Sequence, residues 1–265
     1  MRIQQPEHRA MVRTRVVRTE RTTPHFITVT LGGDELADFP FLGFDQCVKV
    51  FLPRPGQSAL RMPTAAHNGW IAQYYLMPAA ERPVVRNYTA RRFDPDRLEL
   101  DIEFVAHGDG GPASAWAPRA EPGDEVGLFP EGYYYLPPEG TDSQLLVGDE
   151  SAVPALLSIV EQAPEDLRAD VYLEVPSADD IRDVKAPEGV RVHWLARQDE
   201  EALPGRLALE TARSAEPPRA TTYCFVAGEK NLPTGLRRSL VREHGVPKAH
   251  ITFVGYWRHG VATLK

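Results

Sequence analysis

Short stretches in which apolar and polar residues alternate fill the first half of the chain. They are RVVRT (15–19), HFITVTL (25–31), CVKVFLP (47–53) and LELDIEFVAH (98–107). Turn-prone residues separate them, such as Gly32-Gly33-Asp34 and Pro122-Gly123-Asp124. Short strands at this spacing are typical of antiparallel sheets that close into barrels. The pattern predicts an antiparallel β-barrel up to about residue 128, with an irregular excursion from Pro53 to Pro83.

The second half of the chain changes to an alternation of strands and helices. Apolar strand patterns stand at 144–150, 170–177, 191–196, 222–229 and 250–257. Helical patterns stand at 151–162, where Ala152, Leu156, Ile159 and Val160 share one face, and at 236–245. Buried strands that alternate with helices form parallel sheets with crossover connections. We therefore expect a parallel-sheet α/β domain here.

The sequence PPEG near residues 137–140 marks the expected linker between these two parts. It predicts an antiparallel β-barrel domain over residues 1–139 and an α/β domain over residues 140–265. Three strands of the second part end in polar turns of small residues, in LLVGDES, LEVPSAD and FVAGEKN. Ligands of open parallel sheets bind outside the carboxyl ends of the strands. These turns therefore favour a nucleotide-sized ligand.

Composition and charge narrow the possible functions. The 265 residues are 42% hydrophobic, enough for two cores, and the net charge of −7 argues against a nucleic-acid binder. The two cysteines, Cys47 and Cys224, belong to no Cys/His cluster, which argues against a zinc or iron–sulfur site. We expect two reduced thiols, with a disulfide as the alternative. No signal peptide or membrane span is recognisable, so a cytoplasmic location is expected.

A glycine-rich stretch, HGDGGPASAWA, covers residues 107–117. Its glycines allow a close backbone approach to a ligand, and the small residues after them suit a helix start that holds an anion. However, the spacing is not GxGxxG, and no long apolar strand precedes it. The stretch alone leaves its ligand open.

A second stretch, RNYTA over residues 86–90, carries residue types that suit a flavin. Arg86 offers a permanent cation whose fork fits phosphate oxygens. Tyr88 can stack on an isoalloxazine ring, and Thr89 can bond its polar edge. Alone, the stretch is more simply explained as a strand with an exposed arginine and a buried tyrosine.

Taken in order, RNYT, HGDGGPASAWA, GDESAVPA and GYWRHG closely resemble the siderophore-interacting protein family of FAD-dependent ferric-siderophore reductases. The resemblance runs from about Arg13 to Val261. It implies an FAD-binding barrel followed by an NAD(P)H-binding α/β domain. The absence of GxGxxG is then expected, because the barrel holds the flavin.

The resemblance also implies the roles of particular residues. Those expected to bind FAD are Arg86, Tyr88, Thr89, His107, Gly108, Gly111, Pro112, Ala113 and Ser114. Those expected near the nicotinamide dinucleotide are Asp149, Glu150, Ala152 and Gly228, while Tyr256 and Trp257 would cover the flavin. Purely structural roles stay open for His107, for Trp116 as a core anchor, and for Glu150 at a helix start. Arg197 fits either a 2′-phosphate contact or a solvated surface residue, so NADH and NADPH both stay possible.

The implied mechanism needs no catalytic side chain and no metal bound by the protein. Hydride passes from NAD(P)H to the flavin, and electrons then pass singly to Fe(III) in the siderophore. A reduced ferredoxin is the alternative donor. Lys49 and Arg258 match basic residues that would bind the ferric siderophore. Glu131 stands where the family usually has arginine, which disfavours a highly charged catecholate and favours a hydroxamate-type chelate.

Two other functions stay open. The same flavin fold could serve a biosynthetic pathway, as a flavin reductase or as a redox enzyme acting on an organic substrate. Alternatively, the protein could be a siderophore-binding protein without redox turnover. The intact RNYT and GPAS stretches argue against that last function.

Overall fold

The computed structural model of the chain describes residues 2–54, 56–57, 59–106, 111–199, 202–216 and 218–261. The chain divides into two compact units, one of residues 4–133 and one that begins at Tyr134 and includes the residues before Gln4.

The first unit is built on one antiparallel sheet. Its described strands are β1 (Val12–Thr23), β2 (Phe26–Gly32), β3 (Cys47–Leu52), β4 (Val84–Thr89), β5 (Arg92–Asp94), β6 (Glu99–Val105) and β7 (Glu125–Gly132). They lie in the order β4-β3-β7-β1-β2-β6-β5, and every neighbouring pair is antiparallel. The strands predicted at 15–19, 25–31 and 47–53 are β1, β2 and β3.

The sheet curls so that strands far apart in its order approach each other. The ring of Tyr88 on β4 packs against Phe104 on β6 with centroids 4.3 Å apart, although four strands separate β4 from β6 in the sheet. The space inside is filled by buried aliphatic residues, among them Val29, Val50, Ile102 and Leu128. An antiparallel, barrel-like sheet is the fold class that the alternating pattern predicted, and it is confirmed.

The excursion between β3 and β4 contains a helix, α1 (Gly69–Leu76). Its Trp70 packs against Phe51 and Phe129, with ring centroids 5.4 Å and 5.8 Å away. The N-terminal segment lies beside the same part of the sheet, since Gln4 forms a two-hydrogen-bond bridge with Tyr133. Together they cover the outer face of β3 and β7.

The second unit is a parallel sheet with helices. Its strands are β8 (Gln144–Gly148), β9 (Ala169–Val175), β10 (Val190–Ala196), β11 (Tyr223–Glu229) and β12 (Ile251–Trp257), and its helices are α3 (Val153–Glu161), α4 (Arg206–Ser214) and α5 (Asn231–Arg242). The order β10-β9-β8-β11-β12 is parallel throughout. The α/β class predicted for this unit is therefore confirmed. The first unit also contains a short helix, α2, which spans Pro112–Trp116.

Three details of the second unit differ from the sequence pattern. Helix α3 is buried on all sides from Val153 to Val160, so it has no single apolar face. Helix α5 begins five residues earlier than expected, at Asn231, and its helical residues end at Arg242. Helix α4 was not predicted, and the reason lies in its N-terminal contacts, described below.

Candidate functional site

Strand β4 carries the three residues expected to bind the flavin, and it lies at one edge of the sheet. By alternation, Arg86 and Tyr88 share one face of the strand while Thr89, which is buried, lies on the other. The Tyr88 ring is half-buried against Phe104. Burial raises the pKa of the Tyr88 hydroxyl, against the opposing effect of the Arg86 charge. Tyr88 is therefore a neutral hydrogen-bond donor at physiological pH.

Arg86 has no carboxylate partner among the residues described. Its Nη1 donates only to the neighbouring Val85 carbonyl, at 2.8 Å. Other arginines of this unit form ion pairs, as Arg15 does with Glu125 and Arg18 with Glu99. The half-buried Arg86 guanidinium thus keeps most of its donors for a ligand, and a phosphate group fits that donor set.

The glycine-rich stretch is described only from Gly111 onward, so the expectations for His107 and Gly108 lie outside the described residues. Gly111 is extended, and a Cβ there would meet no atom within 4 Å, so the space beside it is open. In α2, Pro112 is exposed, Ser114 is half-buried and Ala113 is buried in the core.

Three aromatic rings, Tyr88, Phe104 and Trp116, form a continuous patch that includes the end of α2. Phe104 packs against Tyr88 on one side and against Trp116 on the other, with centroids 4.3 Å and 5.7 Å away. Trp116 therefore anchors α2 to the sheet, the structural role left open for it. The patch brings the Tyr88 strand and the GPAS helix together, as a shared FAD site requires.

Lys49 lies on the face of the sheet opposite to Arg86 and Tyr88. Its partner in the β3–β4 ladder is Asn87, whose Oδ1 accepts a hydrogen bond from Lys49 Nζ at 3.0 Å. Lys49 Nζ also lies 3.3 Å from Glu131 Oε1 on β7 and 5.7 Å from the centroid of the Trp70 ring. The half-buried Lys49 ammonium is thus already held by a carboxylate.

Glu131 has a second cation that sequence reasoning missed. Arg9 Nη1 donates to Glu131 Oε2 at 3.0 Å, and Arg9 Nη2 donates to Asn68 Oδ1 at 3.2 Å. The Arg9 side chain is only 7% exposed and lies over the Phe129 ring. Arg9 belongs to no motif, and its contact with Glu131 spans 122 positions, so no local signal could have identified it. We call Arg9, Lys49 and Glu131 the Glu131 cluster.

In the second unit, Glu150 and Glu174 bind one buried arginine. Arg197 Nη1 donates to Glu150 Oε2 at 2.6 Å and to Glu174 Oε1 at 2.9 Å, and its Nη2 donates to Glu150 Oε1 at 3.0 Å. The side chains are 5% exposed for the arginine and 0% for both glutamates. The expectation of a solvated Arg197 is therefore wrong, and its charged end is engaged inside the unit.

Glu174 also holds the start of α4. Its Oε1 accepts from the Gly205 amide and its Oε2 from the Ala208 amide, both at 2.8 Å. A carboxylate that accepts the first amides of a helix caps it, here from 31 and 34 residues upstream. Burial raises the pKa of Glu174, although these hydrogen bonds and Arg197 act in the opposite direction.

Asp149 lies where the strand order reverses, between the ends of β8 and β11. It is fully buried, and its carboxylate accepts from the Ser151 amide and hydroxyl and from the Glu229 amide. Burial and then the neighbouring Glu150 raise the pKa of Asp149 to about 7. Ala152 is also buried, and its amide donates to the Asp149 carbonyl at 2.8 Å.

Gly228 has a reason to be glycine within the unit itself. Its φ is +136°, and a Cβ there would come within 2.6–2.8 Å of the Asp149 carboxyl group. Both the backbone conformation and the close carboxylate therefore require glycine. Its expected proximity to a dinucleotide stays a prediction.

The strand β12 ends with Tyr256 and Trp257, which are half-buried, and Arg258 follows them with an exposed side chain. The Trp257 carbonyl accepts from the Lys230 amide at 3.0 Å, which fixes this end beside β11. Their expected proximity to the flavin and to the acceptor stays a prediction.

Other chemistry is limited within the described parts of the chain. Burial raises the pKa of the Cys47 and Cys224 thiols to about 12, and both cysteines are free. No group of three or more potential metal ligands occurs among the described residues. In the same residues, no helix has the length and apolar character needed to span a membrane.

Two family models match the chain. "Siderophore-interacting FAD-binding domain" matches residues 15–133, and "Siderophore-interacting protein" matches residues 141–260. These matches cover both compact units and contain the RNYT, GPAS, GDES and GYWR stretches.

Named relatives are similar over most of their length. The ferric vibriobactin reductase ViuB of Vibrio cholerae is 33% identical over 245 residues, 92% of this chain and 88% of that protein. The NADPH-dependent ferric-chelate reductase of Escherichia coli is 32% identical over 248 residues, 91% of each chain. The crystal structure of a siderophore utilization protein from T. fusca superposes with a TM-score of 0.82 at 31% identity and covers 100% of this chain and 98% of that one.

Proposed function

The chain belongs to the siderophore-interacting protein family, and we propose that it is an FAD-dependent reductase of ferric siderophores that takes electrons from NAD(P)H. One observation in the structure carries the flavin part of the proposal: Arg86, on the strand of RNYT, lacks a carboxylate partner among the described residues. The reduced product is Fe(II), which oxygen-rich chelators bind more weakly than Fe(III).

The residues present fit FAD. Arg86 would hold a phosphate group, the half-buried Tyr88 ring would contact the flavin ring, and the open space at Gly111 would accept the side chain of the cofactor. When bound, FAD supplies the conversion of a two-electron hydride into the single electrons that Fe(III) accepts. The protein therefore has to bind, align and exclude water, and it needs no nucleophile or general base.

We assign flavin binding to residues 1–139 and dinucleotide binding to residues 140–265. In the second part, Asp149, Glu150, Ala152 and Gly228 stand at the reversal of strand order, where dinucleotides bind parallel sheets. Arg197 is engaged with Glu150 and Glu174 and is a poor candidate for the 2′-phosphate. NADH, NADPH and a reduced ferredoxin all stay candidate donors, and a cytoplasmic location suits the use of any of them.

A hydroxamate-type ferric siderophore is the proposed acceptor, with Lys49 and Arg258 as its basic contacts. Glu131 supports this choice because it engages Lys49 directly and removes one positive charge from that neighbourhood. A weakly charged chelate loses less from this arrangement than a highly anionic catecholate. The alternatives are a flavin-dependent enzyme with an organic acceptor and a siderophore-binding protein without turnover.

The test is stopped-flow reoxidation of the reduced flavin in the purified protein. The protein should be yellow with FAD absorbance, and a ferric trihydroxamate should accelerate reoxidation well beyond oxygen alone. Colourless protein that binds no added FAD would contradict the flavin assignment. Reoxidation that only an organic acceptor accelerates would favour the biosynthetic alternative.

A matched variant pair tests the role of Arg86. Arg86→Gln should weaken FAD binding by about 10- to 100-fold, since a charge-assisted hydrogen bond contributes about 1.5–3 kcal/mol. Arg15→Gln removes an exposed, carboxylate-paired arginine of the same unit and should leave FAD affinity unchanged. Fluorescence titration of the apoprotein with FAD measures both, and equal affinities would remove Arg86 from the site.

A further inference from the structure

We propose that Arg9 sets the charge of the acceptor site by pairing with Glu131, so that Lys49 keeps a net attraction for the anionic oxygens of a ferric chelate. The inference rests on the proposed function and names a residue that no motif contains. Arg9 acts through Glu131 and Lys49, so it is a positioning residue rather than a catalytic one.

The geometry divides the Glu131 carboxylate between two cations. Oε2 takes Arg9 Nη1 at 3.0 Å, and Oε1 lies 3.3 Å from Lys49 Nζ. Without Arg9, Glu131 would be the sole counter-ion of Lys49 and would cancel its charge. With Arg9 present, one carboxylate is shared by two cations, and the Glu131 cluster carries a net charge of +1.

Arg9 is held firmly enough to perform this role. Its side chain is 7% exposed and lies over the Phe129 ring, and its Nη2 donates to Asn68 Oδ1. Its backbone carbonyl accepts from the His67 amide at 3.0 Å. These contacts hold the Arg9 side chain in place, away from a ligand. Arg9 therefore affects Lys49 through their shared partner, Glu131.

The ligand-facing members of this region are polar. Asn68, the partner of Arg9, and Asn87, the partner of Lys49, are exposed, and Lys49 is half-buried over the Trp70 ring. This set offers one ammonium group and two amides to a ligand that presents oxygen atoms. The chemistry suits a ferric chelate with oxygen ligands and low net charge, and it disfavours one with several uncompensated negative charges.

The experiment compares four forms of the FAD-loaded protein that differ in the net charge of the Glu131 cluster. The wild-type cluster carries +1, Arg9→Gln carries 0, Glu131→Gln carries +2, and the double variant returns to +1. Rates of reoxidation by a neutral ferric trihydroxamate and a trianionic ferric catecholate are compared at several ionic strengths. Arg61→Gln, an exposed arginine of the same unit paired with Glu81, is the control for overall charge.

The ratio of catecholate to hydroxamate rates should follow the cluster charge. We expect it to fall about three- to tenfold in Arg9→Gln, to rise about as much in Glu131→Gln, and to return to the wild-type ratio in the double variant. These differences should shrink with added salt. Arg61→Gln should keep the wild-type ratio. FAD absorbance and melting temperature verify that each variant is folded.

Each contrary outcome has a distinct meaning. A purely structural role of Arg9 would make the double variant as slow as the slower single variant, and the ratio of catecholate to hydroxamate rates would stay unchanged. This result would overturn the inference. If wild-type reoxidation responds to no ferric chelate, the proposed function fails. Binding of the redox-inert Ga(III) complexes of the same two chelators, followed by tryptophan fluorescence, then decides the inference alone. The same order of affinities supports it, and equal or absent binding overturns it.

Discussion

The two compact units each bring carboxylates and arginines into contact, with opposite charge balance. In the Glu131 cluster, two cations share one half-buried carboxylate. At the rim of the parallel sheet, Asp149, Glu150, Glu174 and Glu229 are fully buried, and Arg197 is the cation that contacts two of them. An excess of cations suits a surface that attracts an anionic ligand. An excess of buried carboxylates suits internal hydrogen bonding of turns and helix starts.

The hydrogen bonds at the rim support this distinction. Glu174 accepts from two amides at the start of α4, Asp149 accepts from the Glu229 amide, and Glu229 accepts from the amides of Asn231 and His259. These carboxylates fix the turns after β8 and β11 and the start of α4. In contrast, Glu131 accepts no hydrogen bond from a backbone amide among the contacts described, and its partners are side chains.

The largest effect should come from removing Arg197, and the same change at Arg9 is the comparison. Arg197→Gln leaves Glu150 and Glu174 buried without their counter-ion, and loss of one partner of a buried ion pair costs about 3–5 kcal/mol. Arg9→Gln should cost about 1–2 kcal/mol, because Glu131 is 18% exposed and keeps Lys49. Urea unfolding of both variants measures the difference.

The matched control for that comparison is Arg191→Gln. Arg191 pairs with Asp170 at the surface, with a side chain that is 71% exposed, so its loss should cost far less stability than the loss of Arg197. If Arg197→Gln were no more costly than Arg191→Gln, the ion pairs of Arg197 would not be important for stability.

A second, smaller effect should follow from Gly228→Ala. The added Cβ would collide with the Asp149 carboxyl group, and φ at this position is +136°. A strained backbone alone costs about 1–3 kcal/mol. Gly255 is the ladder partner of Gly228 on β12, and a Cβ there would meet only ordinary contacts at 3.6–3.7 Å. Gly255→Ala should therefore be tolerated, and similar melting temperatures for the two variants would contradict the close packing of Asp149 on Gly228.

The sequence predicts more of the fold than of the contacts that hold it. Alternation identified β1, β2, β3 and β6, because each presents apolar residues to one core. Helix α4 was missed because its capping group, Glu174, lies on another strand 31–34 residues away, and Gly205 provides no capping side chain. A local pattern cannot reveal a cap supplied by a distant residue.

Charged residues of the candidate site show the same limit. A phosphate-binding role for Arg86 is predicted from residue type and motif and stays a prediction. The burial of Arg197 and the pairing of Arg9 with Glu131 depend on contacts over 23–122 positions. An arginine in a loop has the same local signature whether it is solvated or buried between carboxylates, so only the three-dimensional arrangement distinguishes them.

The protonation of Asp149 should change the free energy of unfolding by the smallest amount, counted for each pH unit. Its pKa in the folded protein is about 7, above the ordinary value for aspartate, because burial and Glu150 disfavour the charged form. The folded state therefore keeps a proton that the unfolded chain loses near pH 4. Stability from this group is greatest below pH 4 and is lost as the pH rises to 7, by up to about 1.4 kcal/mol per pH unit.

The measurement is the free energy of unfolding of wild type minus that of Asp149→Asn between pH 4 and 8. This difference should fall with rising pH up to about 7 and then become constant, because asparagine does not titrate. Asp142→Asn is the control: hydrogen bonds from Thr221 and Ser143 lower the pKa of the exposed Asp142, so its contribution is lost only as the pH falls below about 4, and its difference should stay constant between pH 4 and 8. A flat difference for Asp149 would mean that it is ionised throughout. A bound proton, which that outcome would exclude, gives Asp149 the compensation that Glu131 obtains from a second cation.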